Sequence, residues 1–312
     1  MDKVTYIIGR LLQMIPTVIV ITVLVFLMVR LIPGDPAAIY LGIRATPEKI
    51  AELNARWGLD KPIYVQFVAF VLKLFKGDLG ESLISRQPVL EVIKMRLPLT
   101  LFMAAYGAII AIILAVPLSL LAALNKDKWF DQIIRTVFVT ILSTPGFFTG
   151  ILLLIVFAVK LHLFPIGGVG TTFIAKLRDL FLPSLTLGLG LMAVLGRNLR
   201  DGIISTLRSE HVVFAHAKGL SERLILSRHV LRNAMVSSLT ILGIYMSWLV
   251  GGAVIIETVF ALPGVGYTMV QAILARDYST VQALTLTFGI LVSLIYLITD
   301  VIYSFMDPRV SL

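Results

Sequence analysis

Cysteine is absent from all 312 residues, which removes thiol catalysis, disulfides and thiolate metal ligation together. Charge is scarce as well, at 14% against the roughly 25% of soluble domains, while 58% of the residues are hydrophobic. No GxxxxGK[ST] loop occurs, so the chain has no such route to holding and hydrolysing a nucleotide by itself. HExxH, GxSxG and GxGxxG are missing too. The pairs Gly188/Gly190 and Gly264/Gly266 lack a third glycine and a preceding strand, which reads as helix packing or a turn. His162, His211, His216 and His229 are too scattered for a membrane-embedded enzyme, which needs clustered nucleophile, base or metal ligands. The long apolar runs carry no ionisable residue deep inside them, which counts against an ion-coupled transporter or pump.

What remains is apolar length. Roughly 20 residues at about 1.5 Å rise cross a hydrocarbon core of about 30 Å, and six charge-free runs meet or approach that length: 11–29, 97–124, 136–159, 180–196, 233–256 and 278–299. The fourth is the shortest, and its Pro183, Gly188, Gly190 and Gly196 suit packing against protein rather than lipid. The first exceeds a signal-peptide core of roughly 7 to 15 residues and lacks a small-x-small cleavage pattern, so it reads as a retained span. The predicted fold class is an all-α integral membrane protein of six spans.

Lys and Arg set the expected orientation. With the N-terminus in the cytoplasm, the inner segments hold thirteen: Lys3, Arg10, Lys126, Lys128, Arg135, seven between spans four and five, and Arg309. The short outer loops hold four, so both termini are expected inside. The segment 30–96 carries ten more, but is long enough to translocate largely regardless of charge. The net charge of +9 is thus a topology signal, not a nucleic-acid surface.

Two polar features stand out, one on each side. Outside, Thr46 at an N-cap, Pro47 at the first helical position, Glu48 in the first turn and Gly58 at the end predict a capped helix, with Ile50 and Leu53 on one face. A second segment, 64–75, spaces Phe67, Val68, Val71, Leu72 and Phe75 as a helix does. This small insertion, 32–96, reads as a scaffold on the spans, a helix at the membrane surface, or a platform for another protein. Inside, the 36-residue loop 197–232 is longer than a simple connection needs. Residues 208–218 can continue a helix, Gly219 tolerates a left-handed stop, and Ser221 caps a new helix beginning at Glu222. Small Ala215, Ala217 and Gly219 allow close approach by another backbone.

The stretch AHAKGLSERLILSRHVLRNA (215–234) resembles the cytoplasmic coupling motif of permease subunits of ABC importers, in the dipeptide/oligopeptide/nickel branch. Nine further stretches match that branch in order: RLIPGDP (30–36), GLDKP (58–62), GDLG (77–80), RLPLT (96–100), LPSLTLGLG (182–190), GGAVIIETVF (251–260), LPGVG (262–266), RDY (276–278) and MDPR (306–309). Taken together they cover nearly the whole chain and are specific. The resemblance implies a type I importer permease core in the bacterial inner membrane (spans two to six, 97–312, after an N-terminal span in 1–31). It also implies a partner permease that is usually a different chain, two cytoplasmic ATPases holding ATP and Mg, and an extracytoplasmic binding protein. No cofactor is expected in this chain itself.

By the same resemblance, Ala215, His216, Ala217, Lys218, Gly219, Leu220, Ser221 and Glu222 form the ATPase-coupling segment. Four positions depart from the importer patterns. Val213 and Phe214 replace the first two residues of its EAA triplet, Arg232 replaces a later proline as usual in this branch, and His216 stands where arginine is common. Lys126, Lys128 and Trp129 read either as a second ATPase contact or as a positive-inside anchor with an interfacial Trp. Glu257 reads as a substrate or binding-protein contact, or as a charge at the water interface. Pro263, Gly264 and Gly266 read as an external gate or an ordinary turn, and Pro117 and Pro145 as kinks or as tolerated prolines. Short peptides lead as substrate, with nickel chelates and glutathione as alternatives. A stand-alone channel and a structural membrane subunit are the readings from other classes.

Overall fold

The computed structural model describes residues 3–31, 36–42 and 45–306. Residues 32–35 of the RLIPGDP match and 307–309 of MDPR, including the Arg309 counted for topology, lie outside the described residues. The chain divides into two compact units, one built from 1–11, 100–262 and 294–312, the other from 12–99 and 263–293. Among the described residues the regular structure is helical, with one isolated β-bridge, Glu81 to Pro88.

The second unit contains most of α1 (Lys3–Leu31), then α2 (Pro36–Leu41), α3 (Pro47–Trp57), α4 (Ile63–Phe75) and the start of α5 (Val89–Leu124). Thr46 caps α3, accepting a hydrogen bond from the Lys49 backbone N–H, and Gly58 ends it at φ 71°. Its own backbone N–H and the Thr46 hydroxyl hold the Glu48 carboxyl below the ordinary carboxylate range. Phe26 of α1 packs edge-on against Phe67 of α4, centroids 5.1 Å apart. Val89, Ile93, Val265, Ala283 and Leu284 form this unit's apolar core.

The first unit holds the rest of α5, α6 (Trp129–Ser143), α7 (Gly146–Leu153), α8 (Phe173–Asp179), α9 (Phe181–Leu207), α10 (Glu210–Ala217), α11 (Glu222–Leu224) and α12 (Arg232–Val259). In the second unit α13 (Val265–Leu274) follows, and α14 (Tyr278–Met306) begins there. Among the described residues five helical stretches are long and apolar enough to cross a membrane. The sixth run is not one rod: α6 and the helix after it meet at 107°. The cause is Pro145, which forces Thr144 into extended backbone, φ −98° and ψ 128°. Pro117, by contrast, is tolerated within an unbroken α5.

Span four is the most buried of the five, and two of its glycines show why. A Cβ on Gly188 would run into the Gly107 carbonyl of α5, and one on Gly107 would come within 2.7 Å of the Ser184 carbonyl. One on Gly196 would meet the Phe138 ring at 2.5 Å. Gly190 has open space, so its glycine is not set by packing.

Candidate coupling site

The 36-residue polar loop is shorter in the structure than in the sequence reading, because α9 continues to Leu207 and α12 begins at Arg232. Between them α10 stands apart from α9 rather than continuing from Arg208. Ser209 occupies its N-cap, although the Ser209 hydroxyl bonds the Thr206 carbonyl instead of capping. At the other end the Gly219 N–H donates to His216 O at 2.9 Å and the Leu220 N–H to Ala215 O at 3.3 Å, with Gly219 at φ 74°. This is the paired closure of a Schellman stop, which a left-handed residue makes possible. Ser221 sits at the next N-cap with extended backbone but makes no capping bond. From there the chain enters a π-type turn, Ile225–Leu231, before α12.

The nominated residues divide by exposure. Ala215 is buried with Val212 in a cluster that includes Ile203 of α9, Ile225 and Val230 of the π-type turn, and Ala123 at the end of α5. Leu220 packs against the same cluster. His216, Ala217, Lys218, Gly219, Ser221 and Glu222 are exposed. His216 Nδ1 lies 3.4 Å from Glu222 Oε1, bridging the Gly219 turn within this chain. Val213 and Phe214, noted in the sequence only as departures, are 61% and 63% exposed. Lys218 Nζ sits 4.9 Å from the Phe214 ring centre. α10 therefore holds itself to the unit by one face and offers a small apolar and cationic surface on the other. Phe214 stands two positions after Val212 and so falls on the other helical face, but which of the two faces is buried depends on the helices they meet.

Lys126 lies 3.9 Å from Asp127, Lys128 occupies the N-cap of α6, and Trp129 is 61% exposed and stacked on Phe130. This loop follows directly on the Ala123 that packs beneath α10, so both polar segments grow from one core cluster. Sequence reasoning missed the pair that braces it. Asp131, fully buried, takes Arg200 Nε and Nη2 on its two oxygens at 2.6 Å each, and accepts the Asp127 N–H at 2.9 Å. Arg200 also reaches Asp201 at 2.8 Å. Both Asp131 and Arg200 fell outside the predicted spans, and only the extension of α9 and α6 brings them together.

Glu257, two residues from the end of α12, is fully buried and accepts a hydrogen bond from the Thr100 hydroxyl of α5, so within this chain it is not a solvent-exposed charge. α12 then ends with the Leu262 N–H donating to Glu257 O and the Ala261 N–H to Thr258 O, with Ala261 left-handed at φ 49°. In the second unit Pro263 lends its carbonyl to Arg96 Nη1 at 3.3 Å, Gly264 is the extended N-cap of α13, and Gly266 is buried within that helix. These are the features of a braced turn. No group of three potential metal ligands occurs among the described residues.

Comparison with known proteins bears on the same segments. The family described as binding-protein-dependent transport system inner membrane component matches residues 115–312, and its N-terminal counterpart matches 3–104. A Brucella suis protein whose assigned name is peptide transport system permease protein is 38% identical over 307 residues, covering 97% of this chain and 98% of that one. The glutathione transport system permease protein GsiC of Salmonella choleraesuis is 37% identical over 305 residues, covering 98% of each. A crystal structure of an amino acid ABC transporter with histidines aligns at a TM-score of 0.52 and 14% identity, over 70% of this chain and 94% of that one, a likeness of fold.

Proposed function

The chain belongs to the binding-protein-dependent transport system inner membrane components, the permease subunits of ABC importers, and on that premise we propose how it works and what it carries. It forms half of a translocation pathway for short peptides, paired with a second permease chain. Two separate ATPases supply ATP and Mg chemistry, and an extracytoplasmic binding protein delivers the solute. Both termini and α10 face the cytoplasm, and the α3–α4 insertion faces outward. Glutathione, itself a tripeptide, is the second reading, supported by the similarity to GsiC.

The observation that carries the mechanism is α10: a helix of eight residues, fixed by Val212 and Ala215 below and a left-handed stop at Gly219, presenting Val213, Phe214 and Lys218 outward. A cleft in an ATPase that receives this face moves it when ATP closes the ATPase pair. The buried contacts of α10 pass that motion to α9 and α12. Coupling requires that the ATPase hold the helix differently in its two states, since equal binding shifts no equilibrium. The Lys126–Trp129 loop is a second contact with the ATPase, and Pro263, Gly264 and Gly266 form a turn at the outer mouth. Glu257 serves as a buried tie to Thr100 rather than a substrate ligand.

A photo-reactive side chain at Phe214 tests the proposal in the assembled complex. It should cross-link to an ATPase subunit with a yield that changes when ATP is bound. Cross-linking to lipid alone, or none in either state, would refute the coupling role. Uptake by the reconstituted complex of a dipeptide but not glutathione, or the reverse, separates the two substrates.

A further inference from the structure

Four cations converge on one cavity of the second unit with no acid among its lining residues. The cavity has a volume of about 750 Å³ and is lined by Arg30, Arg56, Trp57, Lys61, Lys73 and Tyr278, among others. None of the four cations has an ion pair among the described residues, and the smaller adjoining pocket is lined by one acid, Glu81.

Arg30 is the built part of this site. Its Nε and Nη2 donate to Gln66 Oε1 at 3.1 and 3.0 Å, its Nη1 donates to Phe26 O at 2.9 Å, and its guanidinium lies 3.4 Å from the Phe26 ring centre. Gln66 Nε2 in turn donates to the Leu59 and Lys61 carbonyls. A neutral network thus locks a charged head in place without neutralising it. Burial brings the Arg30 pKa down to about 10, so it stays cationic at neutral pH while giving up part of its hydration. The Tyr278 hydroxyl is buried and has no hydrogen-bond partner among the described residues. A half-buried cation and an unused hydroxyl lining one cavity are completed by an anion that also accepts hydrogen bonds.

The other face of α4 says which anion. Tyr64, Val68, Leu72 and Phe75 fall on one stripe, exposed by 70%, 55%, 56% and 87%. One helix thus carries a cationic cavity on one side and an unshielded apolar stripe on the other, as an element at a membrane surface does. Trp57 and Tyr278 are residue types that favour headgroup depth. A free anion would use only the cavity, whose other three cations are exposed. A phospholipid uses both surfaces.

We propose that this cavity holds the phosphate of an anionic phospholipid whose acyl chains lie along the apolar stripe of α4. The inference rests on the chain spanning a membrane and is independent of the peptide substrate.

The test uses the assembled importer containing this full chain, exchanged into detergent with either phosphatidylglycerol or phosphatidylcholine of the same acyl length, with bound lipid counted by native mass spectrometry. Phosphatidylglycerol should be retained preferentially. Arg56→Gln and Lys73→Gln should each cut the preference about fivefold, near the effect of one surface cation. Val68→Ser with Leu72→Ser should lower retention of both lipids. Both Arg56 and Lys73 are exposed, so this pair decides the matter even where Arg30→Gln fails to assemble. Equal retention of the two lipids, an unchanged preference in the Arg56→Gln/Lys73→Gln double variant, or no lipid retained at all overturns the proposal. So does displacement of the lipid by an equal concentration of inorganic phosphate, which would make this a free-anion site.

Discussion

At Gly219 backbone strain and intermolecular contact can be separated. A Cβ there would meet nothing within 4 Å of this chain, so only the left-handed φ of 74° opposes a side chain. Gly219→Ala should therefore cost about 1 kcal/mol of local stability and leave most uptake intact. Gly219→Val adds a β-branch that strains the backbone further and projects into the space an ATPase would fill. It should insert and assemble normally and keep hydrolysing ATP, while uptake falls about tenfold or more, the scale of a typical coupling energy. Normal uptake by the valine variant would sink the coupling assignment. The Asp131–Arg200 pair calls for a different comparison. Asp131→Asn leaves the buried guanidinium with only the exposed Asp201 as counter-charge, which should cost up to about 3 kcal/mol, whereas Asp131→Leu with Arg200→Met should be near neutral. Thermal unfolding of the purified complex distinguishes them, and equal losses in both variants would show that the pair acts through something other than charge burial.

At the scale of elements, the glycine pattern of α9 was legible in kind but not in detail. LPSLTLGLG announces close packing, yet Gly188 and Gly190 have identical local sequence signals and opposite surroundings. Only the crossing with α5 at Gly107 distinguishes them. Gly188→Ala should lower the unfolding temperature or abolish assembly, because backbone rather than a flexible side chain stands in the way, whereas Gly190→Ala should be neutral or slightly stabilising through helix propensity. Similar destabilisation by both would mean that the close approach to Gly107 is not what separates the two sites. The end of α12 offers the inverse substitution. Ala261 holds a left-handed conformation at a position where glycine is usual, so Ala261→Gly should stabilise by up to about 1 kcal/mol, less what glycine gains in the unfolded chain. A lower unfolding temperature would show that the Ala261 side chain contributes contacts that outweigh its strain.

Across the whole molecule, what the sequence reveals is what depends on neighbours in the chain. Apolar run length located the spans, and Thr46, Pro47 and Gly58 placed the ends of α3 to the residue. Contacts between distant segments were hidden: the burial of Glu257 against Thr100, the tie from Asp131 to Arg200 and the outward face of Phe214 depend on which helices meet. The break at Pro145 lies between these extremes, since the residue was visible but not whether neighbouring helices would keep the rod straight, as they do at Pro117. This break bears on topology. If the pair around Pro145 crosses the membrane once, an even number of crossings places the two termini on one side; if it re-enters on the side it left, five crossings place them on opposite sides. The positive-inside count favours the first arrangement. Because the chain has no cysteine, single replacements report accessibility without background. In intact cells a membrane-impermeant maleimide should label Arg56→Cys and leave Lys218→Cys and a cysteine appended after Leu312 unlabelled until the membrane is permeabilised. Labelling of the C-terminal cysteine in intact cells, with Lys218→Cys still protected, would establish five crossings and make the segment bent at Pro145 a re-entrant loop.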